Sequence, residues 1–342
     1  MAGERTRCLI IAEAGSNHNG SLELATRLID AAAEAGADAV KFQLFRASTL
    51  YPDTPVAVDY LRRLGIEEGL FELIKKYEVP ADWIPVLADY CRQRRIEFMA
   101  TPFDLEAVEA LNPYVARWKI ATYESSYGSL LRAALATGKE LIVSVGAMDA
   151  RELDALFAEV LQGAASRVTV LQCIAKYPAP IEAANLRVLP WIRERYGVRV
   201  GFSDHTLDPL IAPVAAVALG ASVIEKHFTL DRALPGPDHS FALEPQELTA
   251  MVRAIRAAET SLGDGVKRVH AVEEELSRYK RCYYLTRPVA AGSRLRAKDL
   301  QVLRNTGQRV PAVAPLNPDR VVGRQLARDK AQGDILLEGD MA

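Results

Sequence analysis

The stretch CLIIAEAGSNHNGSLELATRLIDAAAEAGADAVKFQL, residues 8–44, decides the fold. It opens with the short apolar segment Cys8–Ala14, which is typical of a buried strand. Ser21 is predicted to cap the start of a following helix, and Gly36 to end that helix. The next strand is predicted at Asp38–Leu44. The apolar positions of this helix repeat every three or four residues and define one face: Leu22, Ala25, Ile29, Ala32 and Ala33. The stretch therefore predicts one strand–helix–strand unit.

The same unit recurs along the chain. Further strands are predicted at Ile96–Thr101, Ala116–Ala121, Glu140–Val145, Arg167–Ile174, Val198–Phe202 and Ser222–Phe228. Helical patterns separate them, at Asp104–Leu111, Tyr127–Ala136, Asp149–Leu161, Asn185–Arg195, Asp208–Leu219 and Pro245–Leu262. Such alternation favours parallel pairing. About eight units in about 260 residues predict a closed (β/α)8 TIM barrel. A doubly wound open sheet is the weaker alternative, because no GxGxxG follows the first strand.

The strand–helix alternation ends after Gly263, and the residue composition changes. The charged segment Val266–Arg281 is interpreted as a linker helix, and Tyr283–Ala342 has short β-branched runs separated by glycines. We predict a barrel domain at 1–263, a linker at 264–282 and a small β-rich domain at 283–342. Within the barrel, Arg46–Pro80 is long for a strand-to-helix connection, which is typical of a functional lid.

Composition narrows the function classes. A net charge of −2 offers no basic field for nucleic acid or an anionic membrane. The longest apolar stretch, Leu210–Ile224, is too short to span a bilayer, and the polar segment Met1–Arg7 is not a signal peptide. Four scattered cysteines show no disulfide or zinc spacing. We therefore expect a cytoplasmic protein without nucleic-acid or membrane partners.

Reactive side chains fall where the predicted strands end. In a (β/α)8 barrel the carboxyl ends of all strands form one rim, and active sites lie there. Residues far apart in sequence would then share one pocket. They are Glu13, Lys41, Gln43, Thr101, Lys119, Thr122, Glu124, Ser144, Ser203, His205, Glu225 and His227.

Two of these residues, Lys41 and Lys119, interrupt otherwise apolar strands. A lysine is almost never fully buried unless it is paired. The functional interpretation is a site for a phosphate or carboxylate group, helped by neighbouring hydroxyls. The alternative is a structural salt bridge to a carboxylate of the same rim.

His205 and His227 follow adjacent strands and could together bind one divalent metal ion, although a histidine is often structural. Glu13 and Glu124 could act as acid or base, or could simply hold a lysine in place. We interpret Glu225 as preceding a helix and supporting its neighbours, and Asp204 as a turn or cap residue.

The motifs, taken in order, resemble one known family. They are IAEAGSNHNG, GADAVKFQLF, ATPFD, WKIAT with Glu124 two residues on, SVGAMD, GFSDHT, EKHFTLD and PGPDHSF. The string resembles the sialic acid synthase family, whose members make nonulosonic acids. The C-terminal segment, with VVGRQLARDKAQGDIL at 321–336, is similar to the antifreeze-like (SAF) domain of that family.

The resemblance implies a reaction in which C3 of phosphoenolpyruvate condenses with the aldehyde of an open-chain amino sugar. Water attacks C2, and phosphate leaves by C–O cleavage. Acceptors of this kind are N-acetylmannosamine, mannose and diacetamido-trideoxyhexoses. The resemblance also implies a homodimer with exchanged small domains and a divalent metal, Mn²⁺ or Mg²⁺.

Roles follow from the resemblance by position. Phosphoenolpyruvate would be held by Lys41, Thr101, Lys119, Thr122, Ser144 and Ser203, and the metal by His205 and His227. Glu13 and Glu124 would position water and move protons. The sugar would contact Gln43, Tyr177 and Asp238, and also Arg304 from the small domain of the partner subunit.

Some positions depart from the family pattern. Ala175 stands where the family has a side chain that donates a hydrogen bond to phosphoenolpyruvate, and Lys176 either replaces that contact or points outward. Val145 and Asn305 also differ from the usual residues. Two other functions stay open: an aldolase that uses Lys119 as a Schiff base, and a sugar-phosphate-binding protein without turnover.

Overall fold

The computed structural model describes residues 7–53 and 69–342. The chain divides into two compact units, Met1–Asp264 and Gly265–Ala342. Part of the predicted lid, residues 54–68, lies outside the described residues. In the first unit the strands are β1 (Leu9–Gly15), β2 (Ala39–Leu44), β3 (Glu97–Pro102), β4 (Arg117–Ile120), β5 (Glu140–Ser144), β6 (Val168–Cys173), β7 (Arg199–Asp204) and β8 (Val223–His227).

Helices cover the outside of this sheet. Those described are α1 (Leu22–Ala35), α2 (Ala47–Leu50), α3 (Leu70–Lys76), α4 (Trp83–Arg94), α5 (Leu105–Leu111), α6 (Gly128–Ala136), α7 (Ala150–Leu156), α8 (Val188–Tyr196), α9 (Ile211–Ala218) and α10 (Pro245–Ser261). The ends of α1 lie where the sequence predicts them. Ser21 accepts the Leu24 N–H, and Gly36 ends the helix at φ 81°, a left-handed conformation that favours glycine.

The eight strands form one parallel sheet that nearly closes on itself. Their hydrogen-bonded order is β3-β2-β1-β8-β7-β6-β5-β4, and β3 and β4 lie side by side at the two edges. This arrangement confirms the predicted TIM barrel. All strands run in the same direction, so their carboxyl ends share one rim.

Two apolar layers hold the barrel together. The larger one lies between the sheet and the helices, and a smaller one fills the interior with side chains such as Ile11, Ile142 and Leu171. Gly201 on β7 leaves space for this inner layer. A Cβ atom at Gly201 would lie 2.4 Å from the carbonyl oxygen of Val223, so no larger residue fits there.

Ion pairs close the end of the barrel opposite the rim. Arg117 binds Glu97 at 2.8 Å and Glu140 at 3.2 Å. Nearby, Arg256 on α10 pairs with Asp38, whose carboxylate also accepts the Ile10 N–H at 2.8 Å. These contacts stabilise the barrel floor, far along the strands from the candidate site.

The second unit contains β9 (Arg281–Leu285) and β10 (Leu300–Arg304), which pair antiparallel, and its core includes Tyr283 and Leu336. The linker helix that we predicted over Val266–Arg281 is wrong for most of its length. Among the described residues of this segment, the α-helix is the single turn α11 (Glu274–Ser277), preceded by one 3-10 turn. The side chains of Val272 and Leu276 are 89% and 71% exposed, so no packed face supports a longer helix.

The described residues contain no helix with the length and apolar character needed to cross a membrane. All four cysteines are buried free thiols.

Candidate active site

A buried cluster of opposite charges lies at the rim. Lys41 on β2 and Lys119 on β4 each have only 2% of the side chain exposed. Both face Glu225 on β8: Lys119 Nζ lies 3.2 Å from Glu225 Oε1, and Lys41 Nζ lies 3.8 Å from Glu225 Oε2. Ser203 donates a hydrogen bond to Glu225 Oε1 at 2.9 Å. The two lysines are therefore brought together as the sequence analysis expected.

Lys41 is also held from the β1 and β3 sides. Its ammonium group donates to Thr101 Oγ1 at 2.9 Å and forms an ion pair with Glu13 Oε2 at 2.7 Å. The second oxygen of Glu13 accepts from Gln43 Nε2 at 2.7 Å. Burial by itself lowers the pKa of Lys41, but the carboxylates of Glu13 and Glu225 outweigh it and raise the pKa. Lys41 is thus a permanent cation inside the barrel mouth.

The placement of Glu225 before a helix was wrong, whereas the predicted strand Ser222–Phe228 and the supporting role agree with the structure. Glu225 lies in β8 with its side chain between the two lysines. Burial raises the pKa of this carboxyl, but Lys119 and Lys41 lower it more, and the pKa lies below its usual value. Side chains alternate along a strand, so Glu225, two residues before His227, must lie on the same face of β8 as that histidine. This spacing could have indicated its position in the site.

Several buried polar side-chain atoms of the described residues have no hydrogen-bond partner. At the rim they include Oε2 of Glu124, in the turn after β4, and Oγ of Ser144, at the end of β5. Buried polar atoms nearly always have a partner. The carboxyl of Glu124 is desolvated, which raises its pKa to about 7 although its own backbone N–H, Lys119 and Lys41 act to lower it. These atoms fit a bound polar ligand.

Thr122 lies beside the same strand ends. A Cβ atom at Gly146 would be 3.1 Å from Thr122 Oγ1, which shows how closely the threonine approaches the loop after β5. Thr122 therefore lies beside the loop that follows Ser144 at the end of β5.

The two predicted metal-binding histidines also lie together. The ring centroids of His205 and His227 are 5.6 Å apart, in a T-shaped arrangement. His205 Nδ1 lies 2.7 Å from the carbonyl oxygen of Ile174, so this nitrogen carries the hydrogen and Nε2 has the lone pair. Tyr177 stacks on His205 with centroids 4.1 Å apart.

These imidazoles fit a divalent cation. Burial lowers the pKa of His205 to about 3, so the ring is neutral, which is the metal-binding form. Nδ1 of His227 is buried without a hydrogen-bond partner, and the nearest carboxylate oxygen, Asp238 Oδ2, is 3.9 Å away. In residues 7–53 and 69–342 no cluster of three or more His, Cys, Asp or Glu side chains completes a metal site.

Asp238 reaches the rim from the loop after β8. Its Oδ2 accepts from Ser16 Oγ at 3.1 Å. Gly15, with φ +51°, allows this approach: a Cβ atom there would lie 2.9 Å from Asp238 Oδ2 and 3.5 Å from both Gln43 Nε2 and Glu13 Oε1. Asp238, Gln43 and Glu13 therefore converge on one side of the pocket.

Sequence reasoning missed the contacts that hold the loop of Asp238. Imidazole nitrogens of His239 lie 2.6 Å from Thr229 Oγ1 and 3.0 Å from Asn19 Oδ1. The amide of Asn19 in turn donates to the carbonyl of Pro235 at 2.9 Å. The motif SNHNG could have signalled this role, because polar side chains in loops often bind neighbouring backbone.

Two of the remaining residues bear on the departures noted in the sequence. Lys176 is exposed, which favours the outward alternative for this side chain. Arg304 lies on β10 of the second unit, where it is exposed and its carbonyl accepts from the Tyr284 hydroxyl at 3.3 Å.

Comparison with known proteins assigns the chain to a protein family. The model of the NeuB family matches residues 28–267. The chain belongs to the NeuB family. The model of the SAF domain matches residues 280–342, so both parts of the predicted resemblance are confirmed.

Relatives within the NeuB family cover most of the chain. The spore coat polysaccharide biosynthesis protein SpsE of Bacillus subtilis is 38% identical, over 92% of this chain and 87% of its own length. N,N'-diacetyllegionaminic acid synthase of Legionella pneumophila is 36% identical, over 98% and 95%. The crystal structure of N-acetylneuraminic acid synthetase from Leptospira borgpetersenii, in complex with citrate, is similar with a TM-score of 0.70 and 34% identity, over 80% of this chain and 91% of that one.

Proposed function

We propose that this protein is a nonulosonic acid synthase that condenses phosphoenolpyruvate with an open-chain amino sugar or related hexose and releases phosphate. One observation carries the proposal: the buried cations Lys41 and Lys119 lie at the same rim as the neutral imidazole pair His205 and His227. An anion site beside a metal-binding pair suits an enol phosphate reacting with an aldehyde. The NeuB relatives that make legionaminic acid support the same reaction class.

In this proposal the charged cluster binds phosphoenolpyruvate. Each hydrogen bond from Lys41 or Lys119 to an anionic oxygen contributes about 1.5–3 kcal/mol. Glu225 keeps both ammonium groups in place before the substrate arrives. The hydroxyl groups in reach of the same region supply further donors: Thr101, Thr122, Ser144 and Ser203.

His205 and His227 would hold Mn²⁺ or Mg²⁺. A bound divalent cation supplies Lewis-acid polarisation of the sugar aldehyde, an effect of several kcal/mol. The protein contributes the orientation of the rings, through the Ile174 carbonyl on one side and the stacked Tyr177 on the other.

C3 of phosphoenolpyruvate bonds to C1 of the sugar as the C2=C3 double bond and the aldehyde C=O π bond open. Water adds at C2 and gives one proton to Glu124, which passes it to the former aldehyde oxygen. The C2–O bond to phosphate then breaks, the remaining proton of the C2 hydroxyl goes to the departing phosphate, and a ketone is left at C2. Glu13, fixed by Lys41 and Gln43, orients the water or the acceptor. We assign Tyr177 and Asp238 to the sugar.

We further propose that the active form is a homodimer in which the small domain is exchanged. Arg304 of one subunit would then contact the sugar bound by its partner. The reaction is assigned to the cytoplasm, in keeping with the free thiols.

The function is tested by measuring phosphate release from phosphoenolpyruvate in the presence of Mn²⁺ and a panel of aldoses. We expect release only when a suitable aldose is present, and the candidates are N-acetylmannosamine, mannose and diacetamido-trideoxyhexoses. A heavy-oxygen label in the bridge between C2 and phosphorus should appear in the phosphate. Label retained in the sugar acid, or no turnover across the panel, would contradict the proposal.

Borohydride trapping and the phosphate-release assay together separate the two other functions. A Schiff-base aldolase would be trapped at Lys119 by borohydride and pyruvate, and the contact between Lys119 and Glu225 would have to break before the amine could attack a carbonyl. A binding protein without turnover would bind phosphoenolpyruvate and release no phosphate with any aldose.

Glu124 should give the reaction a pH dependence. Its pKa of about 7 means that the ionised form, which accepts the proton from water, becomes populated as pH rises through neutrality. We expect kcat to rise with pH through about 7, and E124Q to lower kcat about 10²-fold or more and remove the rising limb. The check is a profile of kcat from about pH 5 to 9. The control variant E97Q, changed at the opposite end of the barrel, should keep the rise of kcat with pH. If E124Q also kept this rise, the assignment of Glu124 would be refuted.

A further inference from the structure

A second buried ion pair lies behind the rim. Lys226 on β8 and Asp204 at the end of β7 have 2% and 0% of their side chains exposed, and Lys226 Nζ lies 2.6 Å from Asp204 Oδ2. Side chains alternate along a strand. Glu225 and His227 face the site, so Lys226 between them projects to the outer side of the barrel. The pair is therefore separate from the lysine cluster that we assign to phosphoenolpyruvate.

The pair is tied to the backbone that follows β7. Lys226 Nζ donates to the carbonyl of Thr206 at 2.6 Å, and Asp204 Oδ1 accepts the Thr206 N–H at 2.8 Å. Our interpretation of Asp204 as a turn or cap residue thus omitted its principal partner, which is the lysine. The residue enclosed by these contacts is His205.

Nothing in the strand ladder could replace this support. The pairing of β7 with β8 ends at Asp204↔Lys226, so His205 and Thr206 lie beyond the last ladder pair. The other anchors of His205 come from the neighbouring loop: its ring faces the carbonyl of Ile174, and its own carbonyl accepts the Ala179 N–H at 2.8 Å.

As a source of stability alone the pair is a poor choice. Removing two charges from water costs several kcal/mol per ion, and apolar residues of similar volume are often equally stable. Burial disfavours the charged form of both groups, since it lowers the pKa of Lys226 and raises the pKa of Asp204. Apolar residues could not fix Thr206 through directed hydrogen bonds, of which two involve its backbone and a third its side-chain hydroxyl.

We propose that Asp204 and Lys226 are positioning residues that set the geometry of the two imidazoles and thereby the affinity for the divalent cation. The pair joins the backbone around His205 to the residue that precedes His227, so one contact links the turn that carries His205 to the strand that carries His227. This inference rests on the proposed metal-dependent function. Neither residue touches substrate or metal.

The test measures Mn²⁺ binding without substrates, from the electron paramagnetic resonance of free Mn²⁺. K226M and D204N should each weaken Mn²⁺ binding about 10- to 100-fold, the range for groups that orient metal ligands. Saturating Mn²⁺ should restore much of kcat, since the catalytic groups are intact. A purely structural pair would lower Tm and leave the Kd for Mn²⁺ unchanged.

Two further variants separate folding from positioning. The double variant D204L/K226M removes both charges, so it should recover stability but still bind Mn²⁺ weakly. R256M breaks the Arg256–Asp38 pair at the barrel floor and should lower Tm without changing the Kd. Wild-type Mn²⁺ affinity in the double variant would overturn the inference.

H205A distinguishes this inference from the proposed function. If wild-type protein binds Mn²⁺ and H205A does not, the metal assignment stands, and the pair variants alone decide the inference. If wild-type protein does not bind Mn²⁺, the metal assignment fails, and the positioning role is overturned with it.

Discussion

Replacing Glu225 with glutamine should lower kcat/KM for phosphoenolpyruvate by about 10²–10³-fold, because it leaves two buried cations without their shared partner. The substitution preserves size, so packing is retained while the charge is lost. Lys119 loses its ion-pair partner, and Lys41 keeps only Glu13. The lysines would then adopt positions that no longer match the anionic oxygens of the substrate. Steady-state kinetics with varied phosphoenolpyruvate measure the effect.

Glu140 provides the matched control. It also lies on a barrel strand and pairs with two cations, Arg117 and Arg199, but at the floor and partly exposed. E140Q should cost a small amount of stability and leave kcat/KM unchanged. Equal effects of E225Q and E140Q, or a nearly normal kcat/KM in E225Q, would show that the central carboxylate does not organise the substrate site.

Replacing His227 with alanine should abolish Mn²⁺ binding and lower kcat by at least about 10³-fold. The expected size follows from Lewis-acid assistance of several kcal/mol, at about 1.4 kcal/mol for each factor of ten. The variant loses no hydrogen bond at Nδ1, but it removes a buried ring that packs against Tyr177 and Phe241, so Tm should fall and both measurements are made on protein shown to be folded. Titration with Mn²⁺ and phosphate release under saturating substrates provide the two measurements.

His270, an exposed histidine of the second unit, is the control for this experiment. H270A should retain both metal binding and turnover. Normal kcat in H227A, or turnover that survives removal of divalent metal by a chelator, would rule out the assigned role.

Much of the site could be predicted from the sequence because one geometric rule connects strand ends that are distant along the chain. Once the strand–helix alternation indicates a barrel, Lys41, Lys119, His205 and His227 must share a rim. The rule says which residues meet but not which atoms bond. A salt bridge from each lysine to a rim carboxylate was therefore foreseen as an alternative, but the sequence did not indicate that both lysines share Glu225.

Predictions that depended on packing fared less well. The charge pattern of Val266–Arg281 favoured a linker helix. A helix in a protein is stabilised mainly by packing of an apolar face, and the apolar residues Val272 and Leu276 are exposed. The Asp204–Lys226 pair was missed for a related reason. From the sequence, Asp204 at a strand end was interpreted as a turn or cap residue. Its ion-pair partner Lys226 lies on the neighbouring strand and becomes apparent only in the folded structure.

Periodicity along the chain by itself determined the barrel, its rim and the set of reactive side chains, since these follow from the spacing of apolar residues and the direction of parallel strands. Tertiary structure alone decided how the charges are shared: Glu225 between two lysines, Ser144 and Glu124 with unpartnered buried atoms, and the turn around His205 held by an outer ion pair. Desolvation and distance set these interactions, and both depend on the neighbours that folding supplies.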